Sequence, residues 1–260
     1  MGVIMIHKLL LSSIAIIGLT GVAAAADMPL RAAAPVYVPT WTGCYIGGNL
    51  GYGRSTSSHL FSLDDVDPGE FQFTDQFSPK GFVGGFQGGC QLQTGQFLWG
   101  LEGDWDSFKN SDTRNWTDVG GGDGVSFTSS VNSLWSVRAR FGIITSDVYH
   151  LYGTLGIGGA RASYSFSALD TDTGVNAAAF SANPTGIVAG VGAEMKVWNN
   201  WVVGLEYLHY AISSDTNIGT SLPATDIGPN VGNHWSFNGA DVIRARASYL
   251  FNWGWGGGRY

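Results

Sequence analysis

The sequence is short of charge, of basic residues and of long apolar runs, and each shortage closes off a class of protein. Charged residues make up 13% of its 260 positions, about half the share found in a soluble domain. Acidic residues outnumber basic ones by 20 to 13, for a formal net charge of −7. That balance provides no basic stripe, so a nucleic-acid partner is excluded. Beyond the N-terminus no stretch approaches 18 uninterrupted apolar residues, so no later segment can cross a membrane as a helix. Only two cysteines are present, Cys44 and Cys90. Neither lies near the end of the N-terminal apolar run, which argues against a lipoprotein. The five histidines, His7, His59, His150, His209 and His234, are scattered. None has the Ser or Asp spacing of a hydrolase, so no catalytic residues are assigned. No metal or cofactor site is assigned either. Asp170-Thr-Asp-Thr-Gly and Gly120–Gly124 are ordinary turn chemistry, and Gly156-Ile-Gly-Gly reads as strand glycine with no helix after it.

What is present is an export signal and a two-residue period. His7 and Lys8 precede an apolar run from Leu9 to Leu19, and Ala24-Ala25-Ala26 before Asp27 fits a small-residue cleavage site. Residues 1–26 are therefore expected to be a signal peptide, with Met1 or Met5 as the start. Residues 27–40, with Pro29, Pro35 and Pro39, read as an Ala/Pro-rich periplasmic lead-in. From Trp41 apolar and polar residues alternate, the mark of half-buried strands. The alternation predicts eight strands, at 41–54, 81–93, 97–108, 131–144, 148–163, 184–198, 200–211 and 240–252. In 97–108, for example, Phe97, Trp99, Leu101 and Trp105 oppose Glu102, Asp104 and Asp106. In 131–144, Val131, Trp135, Val137, Phe141 and Ile143 oppose Arg138 and Arg140.

The connections alternate too. Segments 55–80, 109–130, 164–183 and 212–239 are long and polar, whereas 94–96, 145–147 and 199 are tight. An even strand count with long loops on one side and short turns on the other predicts an all-β fold: an eight-stranded antiparallel up-and-down transmembrane β-barrel over 41–252, with long extracellular loops. Residues 253–260 are left as a C-terminal extension, and 212–239 is expected to be the most mobile loop. Two aromatic girdles are expected. Trp41, Trp99, Trp198, Trp201 and Trp253 fall toward the short turns, and Tyr52, Phe82, Trp105, Tyr207 and Tyr210 toward the long loops.

The charges then fall on the lumen face. Glu102, Asp104, Asp106, Glu194 and Glu206 are balanced by Arg138, Arg140, Lys196, Arg244 and Arg246. A lumen this narrow is filled by side chains, and buried charges must pair. The set is read as an ion-pair plug, with Glu102 near Arg138 and Glu206 near Arg244; a charged path for small solutes is the other reading. If Arg54 lies close to Gly81 across the first hairpin, Cys44 and Cys90 come opposite each other. A disulfide between them and simple proximity both remain open.

In motif order the chain resembles the small outer-membrane barrels of alphaproteobacteria, described as porin-like or immunogenic surface proteins and related to OmpA-like transmembrane domains. The resemblance rests on the signal peptide followed by Ala-Asp-Met-Pro, on Trp41–Gly48, Leu101–Asp106 and Leu151–Thr154, and on Ala189–Glu194, Leu205–Leu208 and the closing Tyr249–Phe251. The chain departs from that family at Cys44, where Phe is usual, at Arg246, which replaces a Gly of the closing strand, and in the residues after Phe251. The resemblance implies a bacterial outer-membrane location with extracellular loops. Its implied partners are outer-membrane lipids and lipopolysaccharide, with the barrel-assembly machinery during biogenesis. It also implies a structural, surface-exposed, non-enzymatic role with weak passive permeation as a secondary activity. The alternatives are a binding module whose loops recognise haem or a host ligand and, behind it, an outer-membrane hydrolase.

Overall fold

The structure, a computed structural model, describes residues 40–63, 72–117, 124–170, 174–198, 200–220 and 231–251. The expected signal peptide, most of the lead-in, Trp253 and the C-terminal extension lie outside the described residues. Eleven strands are present: β1 (Gly43–Leu63), β2 (Gln72–Phe77), β3 (Lys80–Thr94), β4 (Phe97–Thr117), β5 (Gly124–Ile144), β6 (Tyr149–Asp170), β7 (Gly174–Ala182), β8 (Thr185–Lys196), β9 (Trp201–Ala211), β10 (Ser214–Thr220) and β11 (Val231–Phe251). Every pairing is antiparallel, and β11 pairs back onto β1 to close the ring. β2 and β3 both pair with β1, β7 and β8 both pair with β6, and β9 and β10 both pair with β11. Each couple is one interrupted stave, so the ring is an eight-staved barrel.

The register sets its dimensions. Following hydrogen-bonded partners from Cys44 through Cys90, Leu101, Ala139, Leu155, Ala189, His209 and Asp241 returns to β1 at Arg54, ten residues higher. Eight staves with that stagger tilt by about 40°, so ten residues at about 3.3 Å each climb roughly 25 Å, the height of a lipid-facing band. At the lower end the turns are tight. Thr94 pairs with Phe97 around Gly95 at φ 62°, the glycine-first geometry of a two-residue hairpin. Ser146 ties the β5–β6 turn by accepting from the Tyr149 amide.

The segments expected to be loops are the main correction. Residues 55–63, 72–77, 109–117, 124–130, 164–170, 174–182, 214–220 and 231–239 are strand. The 212–239 segment is thus largely β10 and the first part of β11, with 221–230 outside the described residues. These extensions are rich in Ser, Thr, Asn and Asp, and the reason they hid lies at the level where they begin. Ladders slip by one residue at Thr56/Ser57, at Ser107/Asn110 and at Val131/Ser133, while the other staves break at Ser78-Pro79, Asn183-Pro184 and Ile212-Ser213. Pro79 and Pro184 have no N–H to donate, although their carbonyls still accept from Ser55 and Ala160. Gly239, at φ 115°, forms the β11 bulge, where a side chain would run into the Tyr210 carbonyl oxygen at 2.5 Å. A bulge moves each later residue to the opposite face.

Above this level the ring opens. The order becomes β2-β1-β11-β10 in one sheet and β4-β5-β6-β7 in the other, with no ladder between β2 and β4 or between β7 and β10 among the described residues. A barrel in its lower part, the chain is a two-sheet crown above.

Candidate functional site: lumen, crown and outer wall

The lower barrel follows the polarity of a lipid-spanning wall. Outward residues are apolar and exposed, from Ile46 and Leu50 on β1 to Leu205 on β9 and Ile243 on β11. Phe97, Trp99, Phe141, Tyr149, Trp201 and Phe251 ring the turn end. Tyr52, Phe82, Trp105, Trp135 and Tyr207 ring the other. Trp198 is exposed near the turns. Trp41 and Tyr210, both expected in the girdles, are instead fully buried in the lumen. Strand parity explains the correction. Trp41, two residues before β1, continues the inward odd face of Tyr45 and Asn49, and Tyr210 shares the inward even face of β9 with Glu206. Val131, expected outward, is also fully buried, because the adjacent bulge reverses parity.

Three layers fill the lumen. At the turn end Trp41, Leu98 and Val202 form an apolar cap. Above it lies a network of four guanidinium groups and five carboxylates. Arg138 bridges Glu102 at 2.7 Å, Asp104 at 2.5 Å and Glu206 at 3.1 Å. Arg244 holds Asp106 at 2.5 Å and Glu206 at 2.7 Å. Arg246 contacts Glu102, with Glu194 at 3.2 Å and Glu206 at 3.2 Å, and Arg140 reaches Glu194 at 2.8 Å. Register places Glu102 directly opposite Arg138 and Glu206 opposite Arg244.

Lys196 does not join the network. It is half-buried near the turn end, donating to the Thr40 carbonyl at 2.8 Å with its ammonium 4.6 Å from the Trp41 ring. It shares the even face of β8 with Glu194 but lies below the carboxylates.

Polar neighbours that carried no signal of their own complete the network. Tyr45 donates to Glu102 at 2.6 Å and accepts from Arg140, Tyr152 donates to Glu206 at 3.0 Å, and Ser136 donates to Asp104 at 2.7 Å. Sharing the inward parity of the charges was the only clue to them. Glycine makes the room: a side chain at Gly51 would overlap the Arg244 backbone, and one at Gly85 would meet Asp106 at 2.4 Å.

The third layer is apolar and continues into the crown. Phe108, Leu134, Leu208 and Val242 pack across the upper barrel, and Phe77, Phe127, Tyr164, Trp235 and Phe237 fill the space between the two sheets. Trp235 is the hub, 4.1 Å from the His59 ring and 4.6 Å from that of Tyr164. Burial pushes the Tyr164 hydroxyl up to about 12, with a hydrogen bond to Ser57 opposing the shift. The sequence reading missed this core, since it treated these positions as loop. His59, within the segment 55–80 expected to be a loop, is buried in it.

Of the other histidines, His150 faces Glu194 across β6 and β8, and His234 is on β11 within the crown. His209 lies on the outer wall 2.8 Å from Asp241, which also accepts from the Tyr207 hydroxyl at 2.6 Å. Asp170 ends β6, whereas 171–173 and 118–123, which include most of the two loop motifs, lie outside the described residues. On the lipid face near the turns, a disulfide joins Cys44 to Cys90, which are direct register partners.

The relatives agree with this architecture. Residues 13–254 match the outer membrane protein beta-barrel domain family. The 31 kDa outer-membrane immunogenic proteins of Brucella melitensis and Brucella suis are each 32% identical over 182 residues, covering 68% of this chain and 73% of theirs. Among solved structures, the outer membrane protease OmpT of Escherichia coli superposes with a TM-score of 0.50 at 11% identity, over 80% of this chain and 97% of that one; a likeness at this identity speaks for the fold alone. The protein is located in the bacterial outer membrane. With lipid-facing girdles, a closed register and these relatives, the chain belongs to the outer membrane protein beta-barrel family.

Proposed function

We propose that the protein is a structural, surface-exposed barrel whose lumen is sealed and whose crown is the face it offers to the outside. The observation that carries this reading is the unbroken filling of the interior, from the Trp41 cap through the ion pairs to the Trp235 core. Between Tyr45, Gln91, Arg140 and Glu194 a cavity of about 10 Å³ remains, room for about one water. A charged path for solutes would need these side chains solvated, and both partners of the Arg138–Asp104 pair are fully buried. The test is conductance of the folded protein in planar bilayers. Baseline leak is expected, and stable conductance steps would overturn the sealed reading in favour of passive permeation.

Recognition of a ligand by the crown is the second reading. It is favoured by the sheet edges at β2, β4, β7 and β10, which carry no further ladder among the described residues. Such edges present N–H and C=O groups that an extended partner segment can pair with.

A further inference from the structure

We propose that the outer wall over β1, β3, β4 and β6 holds a phosphate-bearing lipid of the outer leaflet, gripped at its headgroup by Arg54, Lys80, Lys109 and Arg161. The basic residues of the described chain are sharply sorted. Four arginines are in the lumen, Lys196 is at the turn end, and Arg114 stands higher, beside Asp112 at 3.8 Å. The other four point outward and are exposed, just above the upper aromatic girdle.

They occupy one side of the barrel. Arg54 and Lys80 are direct register partners, and Lys109 lies in the β4 bulge, next to Asn110, whose amide donates to the Phe82 carbonyl. Arg161 continues the arc on β6. On the three remaining staves, the outward residues of β8, β9 and β11 at this height are Ile187, Ala189, Ala211, His209, Asp241 and Ile243. Those three staves carry no lysine or arginine at this height.

Like charges set directly opposite in a sheet repel, and at a lipid boundary they are poorly screened by water. Among the described residues no carboxylate lies within ion-pair distance of any of the four. Asp241, the other register partner of Arg54, attracts it from beyond ion-pair distance and is itself engaged by Tyr207 and His209, so it offsets the Arg54 charge only in part. An anion supplied from outside would relieve the repulsion.

The wall beneath the arc indicates that the anion carries chains. Tyr52 meets Phe82 edge-on, and Phe86 stacks on Trp105. Beside these rings lie the outward glycines Gly48, Gly88 and Gly103, where an added Cβ would meet nothing closer than 3.5 Å. The interior does not require glycine there, in contrast to Gly51 and Gly85. Left bare, they form recesses running down the apolar wall from the cations, matched to a phosphorylated head with acyl chains. A polybasic cluster at a membrane surface attracts such heads by about 1 kcal/mol per residue.

The test is calorimetric titration of the folded full chain in neutral detergent micelles with a diphosphorylated acyl-glycolipid. The same glycolipid stripped of phosphate and inorganic phosphate serve as the comparison ligands. The diphosphorylated lipid should bind about tenfold or more tighter than the stripped one. Arg54→Gln/Lys80→Gln/Lys109→Gln should abolish that preference, while Arg114→Gln keeps it. Lys80→Gln/Lys109→Gln, which retains the Arg54 contact with Ser78, should lose most of it, and provides the test if the triple variant fails the heat-modifiability check for folding. Equal affinity for the two glycolipids, an unchanged preference in a folded variant, or inorganic phosphate binding as tightly as the lipid would each overturn the proposal.

Discussion

Along a single strand the polarity of the protein reverses. On β11, Ile243, Ala245 and Tyr249 face outward while Arg244 and Arg246 are buried; higher up, Trp235 and Phe237 are buried. On β5, Trp135 and Phe141 face outward around the buried Arg138 and Arg140, and beyond the bulge Phe127 turns inward. The difference follows from the solvent. Where lipid surrounds the wall, moving an apolar side chain inward removes nothing from water, so the outside takes the apolar residues and the narrow lumen takes the charges. In water the ordinary rule returns, and two sheets bury a shared apolar layer as a sandwich does. Ion pairs and aromatic rings thus do the same job, filling an interior, on either side of the bulged level.

The two fillings should respond differently to damage. The largest effect is expected from Arg138→Ala, which takes one guanidinium partner from each of Glu102, Asp104 and Glu206, leaving three arginines against five buried carboxylates, and should cost about 3–5 kcal/mol. Urea unfolding of the barrel from lipid vesicles measures it; a loss below 1 kcal/mol would mean that water enters the lumen and that the layer is not sealed. Trp235→Ala empties the hub of the crown and should cost about 3 kcal/mol, but locally. Limited proteolysis should accelerate within 55–80 and 212–239 while the heat-modifiable migration of the barrel persists. Collapse of both together would show that crown and barrel form one cooperative unit. The smallest effect is expected from Arg114→Ala. Its pairing with Asp112 is partly exposed at 3.8 Å, so a change under about 0.5 kcal/mol in the same urea assay is expected. A larger one would erase the contrast between ion pairs in water and in the lumen.

How legible each region was depended on this same reversal. The lower barrel could be read because apolar-outward alternation runs uninterrupted from Phe97 to Trp105 and from Trp201 to Tyr207, and parity alone then puts Glu102, Arg138, Glu206 and Arg244 inside. The crown could not, because its strands alternate Ser or Thr with single aromatics, as in Ser126-Phe127-Thr128, and because bulges shift the phase just where the pattern changes sense. Composition there resembles loop. Trp41 and Tyr210 lie near strand ends, where girdle aromatics are expected, but their parity turns them inward.

By itself the sequence determined the stave count, the face of each lower strand and the identity of the lumen charges, because a two-residue period and turn chemistry are local properties. Which carboxylate meets which guanidinium was decided only by closure of the ring. Arg138 reaches Glu206 and Arg246 reaches Glu102 across staves far apart in sequence, and only the shared stagger of eight staves brings them to one height. The crown was likewise a tertiary outcome. Phe127 and Trp235 become a core only when two sheets, separated by breaks at Pro79, Pro184 and Ile212, face each other and exclude water between them.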